Sequence, residues 1–331
     1  MKAKIGQSIF VVIAVILAVI FIGLTLQQTD FVALKAAAVR VNYFWFIASM
    51  VLSIFSYWLR AARWKLLLTP MGFNVNTSSG FWAIAFAYFM NLTIPRSGEV
   101  ARATSFYKME KVPVDQSLGT IVLERVIDVL FLFLFLGLTL VFNADTLFSF
   151  FSFTEGISLG KYGAALGVLI AMGLLVFFFR KTLAKFKLYQ TIESFLKGIW
   201  TGFRSILHLK QSGLFILYSF GIWTCYFFMT YLVIFAFPET AHFGIGEGFF
   251  LIISGALGMI LPAVGGLGYP YVMSMAFAAI YMTSGQTAEA GKIVGNYFGL
   301  LLYFAQIIAM LSFGLLSFFF IAKISRKNSI E

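Results

Sequence analysis

Six apolar runs, each about as long as a bilayer is thick, constrain this chain more than any motif. They lie at roughly 5–26, 42–59, 117–142, 161–180, 213–237 and 293–322. A helix needs about 20 mainly apolar residues to cross the hydrocarbon core, and only helices or closed barrels satisfy their backbone polar groups there. Composition agrees. Of 331 residues, 61% are hydrophobic and 11% charged, with a mean hydropathy of +0.94. A soluble chain so apolar could not cover its own surface with polar groups. The expected fold is an all-α polytopic membrane protein, a single transmembrane domain over 1–331. The first run exceeds a signal-peptide core of about 7–15 residues and continues into Leu24-Thr25-Leu26-Gln27, so it reads as a spanning helix.

Two further apolar regions are broken. One runs from Ser79 to Ile94, stops at Pro95 and restarts around Gly98–Tyr107. The other runs from Gly248 to Leu261, stops at Pro262, passes Gly265, Gly266 and Gly268, and restarts around Pro270–Met282. Each piece is shorter than a normal span. Proline ends a helix by withholding a donor, and glycine permits the tight turn that follows. These regions read as two broken or re-entrant hairpins, giving about eight helical spans if counted as crossings. Two ordinary kinked helix pairs remain the alternative.

The net charge of +11 suggests nucleic acid until its distribution is seen, with basic residues beside the apolar runs. With the N-terminus inside and each hairpin returning to its own side, all 24 Lys and Arg but Lys35, Arg40, Lys161 and Lys292 fall on the inner face. The positive-inside rule then puts both termini in the cytoplasm and the chain in the cytoplasmic (inner) membrane. In this threading the first hairpin opens inward and the second outward, the sequence mark of an inverted repeat. Residues 181–212 carry apolar residues at helical spacing among Lys and Arg. They read as a basic amphipathic connector between halves, or as a solvated linker.

Charge inside the apolar runs marks the candidate site, because each such charge costs about 2.5–3.5 kcal/mol on insertion scales unless paired. Asn91 to Arg102 contains Pro95, Arg96, Gly98, Glu99 and Arg102. A helix starting near Ser97 would offer free N–H groups beside Arg96, a match for phosphate. Glu99 and Arg102, three apart, can pair on one helix face, which would equally serve only to order the hairpin. Glu124, Arg125 and Asp128 lie in the 117–142 run. Arg60 and Arg63 follow the 42–59 run, where Trp64 suits a membrane interface and the arginines can be simple anchors. Either these groups form a salt-bridge lock, or they bind substrate; Arg60, Arg63, Asn91, Arg96, Glu99, Arg102, Glu124, Arg125 and Asp128 are the candidates. Gly291, Gly295 and Gly299 recur every four residues, as in close helix packing, and Asn296 and Gln306 should bond other helices. His208, His242 and Cys225 make no credible metal set, no catalytic centre or cofactor is implied, and the chain is not expected to be an enzyme.

At these residues the sequence resembles the lysylphosphatidylglycerol synthase transmembrane-region, or flippase-like, family. The resemblance rests on Arg60-Ala-Ala-Arg-Trp-Lys-Leu-Leu, on Asn91 through Arg102, on Gly119 through Glu124-Arg-Val-Ile-Asp128, and on Pro262 to Gly268. It implies a lipid-handling membrane domain with a pair of re-entrant elements, of the kind linked to moving aminoacylated phospholipid or polyprenyl-phosphate-linked sugar between leaflets; the leading expectation for this chain is a flippase or transporter of an anionic phospholipid or polyprenyl-phosphate-linked intermediate. Membrane lipids would be its partners, with a homo-oligomer or an envelope-biosynthesis enzyme as further possibilities, and no nucleic acid. A non-transporting accessory or scaffold subunit of an envelope lipid or glycan pathway, a lipid-modifying enzyme and a small-solute carrier are the competing functions. The soluble aminoacyltransferase domain of fused relatives is not expected after Glu331. Many relatives have an acidic residue after the glycine turn; here Tyr269, Pro270 and Tyr271 follow.

Overall fold

The computed structural model describes residues 19–20, 23–27, 29–94, 97–155, 210–260 and 266–327. Most of the 5–26 run, the 161–180 run and nearly all of the 181–212 connector lie outside the described residues. So do Pro95, Arg96, Pro262, Gly265 and His208. Every regular element described is helical: α1 (Phe31–Arg40), α2 (Tyr43–Leu68), α3 (Thr77–Thr93), α4 (Gly98–Glu110), α5 (Val114–Glu155), α6 (Ser212–Ile234), α7 (Ile245–Ile260), α8 (Gly268–Thr283) and α9 (Ala288–Lys327). Side-chain caps set several starts. Asp30, Asn42 and Asn76 accept from backbone N–H groups in the first turns of α1, α2 and α3.

Four of these helices, within Tyr43–Met71, Val114–Phe151, Ser212–Ile234 and Ala288–Arg326, are long and apolar enough to cross a membrane. The protein is an all-α polytopic membrane protein. Its sidedness of burial is that of a lipid-solvated fold. On α2, Phe44, Ile47, Val51, Phe55 and Trp58 face outward, whereas Ser49, Ser53, Ser56, Arg60 and Arg63 face inward. Three boundaries differ from expectation. α2 does not stop before Arg60 but runs on to Leu68, because carboxylates and aromatic faces inside the bundle meet its arginines. α5 runs well past 142, with non-helical backbone at Asn143. α9 is 40 residues long, roughly 60 Å, because it packs along both hairpins in turn.

Both broken regions are antiparallel helix pairs. In the first, Gly98 lies against Ala87 and Asn91, and the Asn76 N–H reaches Glu110 at the other end. In the second, Gly258 lies against Gly268 and Tyr269, and Gly255 against Tyr269 and Met273. Helix α9 shows their relative direction. Trp82 stacks on Phe320 and Phe86 meets Phe318, so α3 starts near the C-terminal end of α9 and points toward its middle. Gly291 and Gly295 abut Phe277, and Gly299 abuts Pro270, so α8 lies along the N-terminal half of α9 with its start nearest the middle. The two hairpins therefore approach from opposite ends of α9 and turn near its centre.

The expected small-residue face of α9 is thus its seam with α8. Gly266 takes φ +79°, a left-handed turn before Gly268 opens α8. Asn296 accepts a hydrogen bond from Thr29, and Gln306 donates to Ser49.

Candidate functional site

The charged residues picked from sequence, Arg96 aside, come together beside the first turn. Arg102, on α4, forks onto Glu124 of α5 with contacts of 2.6 and 3.3 Å. Glu124 also lies 4.0 Å from Arg63. Arg63 meets Asp128 at 2.9 Å, and Asp128 meets Arg125 at 3.5 Å. Arg125 reaches back to Glu99 at 3.0 Å. The result is an alternating chain, Arg102–Glu124–Arg63–Asp128–Arg125–Glu99, that ties α2, α4 and α5. It is buried at one end, where Arg63 is 0% and Glu124 1% exposed, and half exposed at the other. Buried charges persist only with this degree of pairing.

The pairing differs from the one local spacing suggested. Glu99 and Arg102 do not pair within α4; each takes a partner on α5. The fork of Arg102 matches a carboxylate on another helix better than one three residues back on its own. Trp64 faces neither lipid nor water. It is fully buried, donates to the Thr120 hydroxyl at 2.8 Å, and lies under the Arg102 guanidinium, 3.9 Å from its ring centre. Nor are all the N–H groups at the α4 start open to an anion. The Gly98 N–H donates to the Asn91 carboxamide oxygen at 2.8 Å, and the Ser97 N–H to the Ile94 carbonyl. Asn91 fastens the turn, and a Cβ at position 98 would collide with it.

Arg60 stands outside the chain of pairs. It is 5% exposed and has no carboxylate within salt-bridge distance among the described residues. Its guanidinium instead donates to the hydroxyls of Tyr88 and Tyr226, the latter at 3.3 Å, and sits 5.5 Å above the Tyr88 ring. With Arg63, Arg102 and Arg125 it gives four cations against three carboxylates, so the described cluster carries one positive charge in excess.

Between the two turns lies a cavity of about 410 Å³. Tyr88 and Arg125 bound it on the side of the first hairpin; Gly255, Met259 and Tyr269 bound it on the side of the second. α9 contributes Tyr303 and Gln306, α2 contributes Ser53 and Tyr57, and α6 contributes Tyr226. A smaller recess of about 30 Å³ lies behind Tyr88 and Arg125, walled by Arg60, Asn91, Gly98, Glu99 and Arg102. Sequence reasoning missed Tyr57, Tyr88, Tyr226, Tyr269 and Tyr303 as site residues. The available signal was the hydroxyl: a tyrosine inside a span needs a polar partner or a wet surface, whereas the many phenylalanines do not. Among the described residues no group of three His, Cys, Asp or Glu is arranged to hold a metal.

Opposed hairpins around a polar centre, inside a lipid-facing shell, define a polytopic membrane protein of the inverted-hairpin class. The chain belongs to the family described as the lysylphosphatidylglycerol synthase TM region, whose model matches residues 11–309. It is therefore a member of a lipid-related membrane protein family. It is also similar to a UPF0104 membrane protein of Methanocaldococcus jannaschii, 28% identical over 137 residues, which is 40% of each chain. That match spans well under two thirds of the archaeal relative. No solved structure matches.

Proposed function

We propose that this protein moves an anionic lipid, a phospholipid or a polyprenyl-phosphate-linked intermediate, between the leaflets of the inner membrane. The headgroup passes through the cavity between the hairpin turns, and both termini stay in the cytoplasm. The observation that carries this reading is Arg60: a buried guanidinium with no carboxylate among the described residues within ion-pair distance, held by two tyrosine hydroxyls that line the cavity. A buried cation whose described hydrogen bonds go to neutral hydroxyls is a site for an incoming anion, and guanidinium matches phosphate geometry. Opposed broken helices that meet near the midplane are the architecture in which transporters place such sites. The cavity volume is in the ~300–1,000 Å³ range of small-ligand pockets, so it suits a headgroup while the acyl chains stay in lipid. The reading assigns the protein no bond-making step.

Reconstitution tests it. In proteoliposomes scored for headgroup translocation, Arg60→Ala lowers the rate by about 10-fold or more, the equivalent of one charged hydrogen bond of about 1.5–3 kcal/mol. Lys323→Ala, on the exposed C-terminal part of α9, leaves it unchanged. Full activity in a folded Arg60→Ala protein removes the site.

A further inference from the structure

Resting on that reading, the cavity also discriminates by what hangs from the phosphate. Among its described lining residues the one charged side chain is Arg125, and there is no carboxylate. The polar wall is made of hydroxyls, with Ser53, Tyr57 and Tyr269 among them, and of the Gln306 carboxamide. Gln306 donates its N–H to Ser49 at 3.2 Å, and its buried oxygen has no hydrogen-bond partner among the described residues. A buried acceptor left open is an invitation to a donor.

An ammonium group would fare badly here. It would shed its water beside Arg60 and Arg125, and the carboxylates nearest them, Glu99 and Asp128, lie outside the cavity lining and are already paired with Arg125 and Arg63. An aromatic cage is the usual substitute, but it needs free ring faces. Tyr57 and Tyr88 stack on each other, centroids 4.6 Å apart at 15°, and the Tyr88 ring also lies under the Arg60 guanidinium. Those two rings offer edges and hydroxyls rather than open faces, and the indole of Trp223, also in the lining, stacks on Phe131 and meets Tyr226 edge-on. We infer that the site selects a lipid whose headgroup beyond the phosphate is uncharged and rich in hydroxyls, and that it disfavours aminoacylated and other ammonium-bearing headgroups.

Native mass spectrometry of the purified full chain with phosphatidylglycerol, phosphatidylethanolamine and lysylphosphatidylglycerol of identical acyl chains tests this. Phosphatidylglycerol is expected to bind at least about 10-fold more tightly than either ammonium-bearing lipid. Gln306→Glu, which places a carboxylate in the wall, should narrow the gap; where that variant does not fold, the wild-type ranking decides alone. Equal or tighter binding of lysylphosphatidylglycerol or phosphatidylethanolamine overturns the headgroup inference. Arg60→Ala keeps the two ideas apart. If it weakens all three lipids, the phosphate reading stands whatever the ranking. If it changes none of them, or if no lipid binds above background, the phosphate reading fails and the headgroup inference falls with it.

Discussion

The two hairpins are built alike in outline and oppositely in chemistry. The first is held by charge: Arg102 and Glu99 of α4 reach Glu124 and Arg125 of α5, and Asn91 fastens the turn. The second is held by close packing. Gly258 abuts Tyr269 and Gly268, and Gly291, Gly295 and Gly299 press α9 onto α8, while no residue of α8 carries a charge. One side of the cavity can therefore attract an anion and the other can only shape the space. A symmetric approach of two hairpins does not require a symmetric site. Tyr269, at the start of α8, belongs to the side that shapes.

That contrast can be broken from either side. The largest effect is expected from Glu124→Ala. It leaves Arg102 and part of Arg63 buried without a counter-charge, a loss of about 3–5 kcal/mol. Thermal unfolding in detergent reads it, and an unshifted midpoint would mean that charge does not hold the first hairpin. Gly295→Ala comes next, since its Cβ would stand 2.6 Å from the Phe277 Cβ and 2.7 Å from the Met273 carbonyl. Overpacking of that kind costs about 1–3 kcal/mol. A neutral result in the same assay would show that the α8–α9 seam has slack. Asn91→Ala removes one hydrogen bond to the Gly98 N–H and should cost about 1 kcal/mol. Hydrogen exchange should then accelerate at the start of α4 and not at the second turn; acceleration at both would mean that the turns are mechanically one unit. Arg125→Ala should be the mildest, below about 1 kcal/mol, because its pair with Glu99 is half exposed. A larger loss would extend the electrostatic lock to its exposed end.

Much of the architecture was legible because lipid makes its demands locally. Apolar length gave the long helices, and Pro and Gly gave the two interruptions. The cost of charge in a span pointed to Glu124, Arg125 and Asp128 before any partner was known. Arg60 and Arg63 show the limit of such reasoning. Positive residues after an apolar run look like anchors, and only the continuation of α2 puts them inside.

The sequence by itself determined that this chain lives in a bilayer, that two of its apolar regions cannot be single uninterrupted helices, and which charged residues need partners. These properties depend on a few neighbouring residues and on the solvent around them. Only the tertiary structure decided who pairs with whom. It moved Glu99 and Arg102 from each other to Arg125 and Glu124, left Arg60 to two tyrosines, and turned Tyr269 and Gln306 into cavity walls. The physical reason is that a guanidinium in low dielectric takes the best-oriented acceptor within reach, and reach is set by how helices distant in sequence cross.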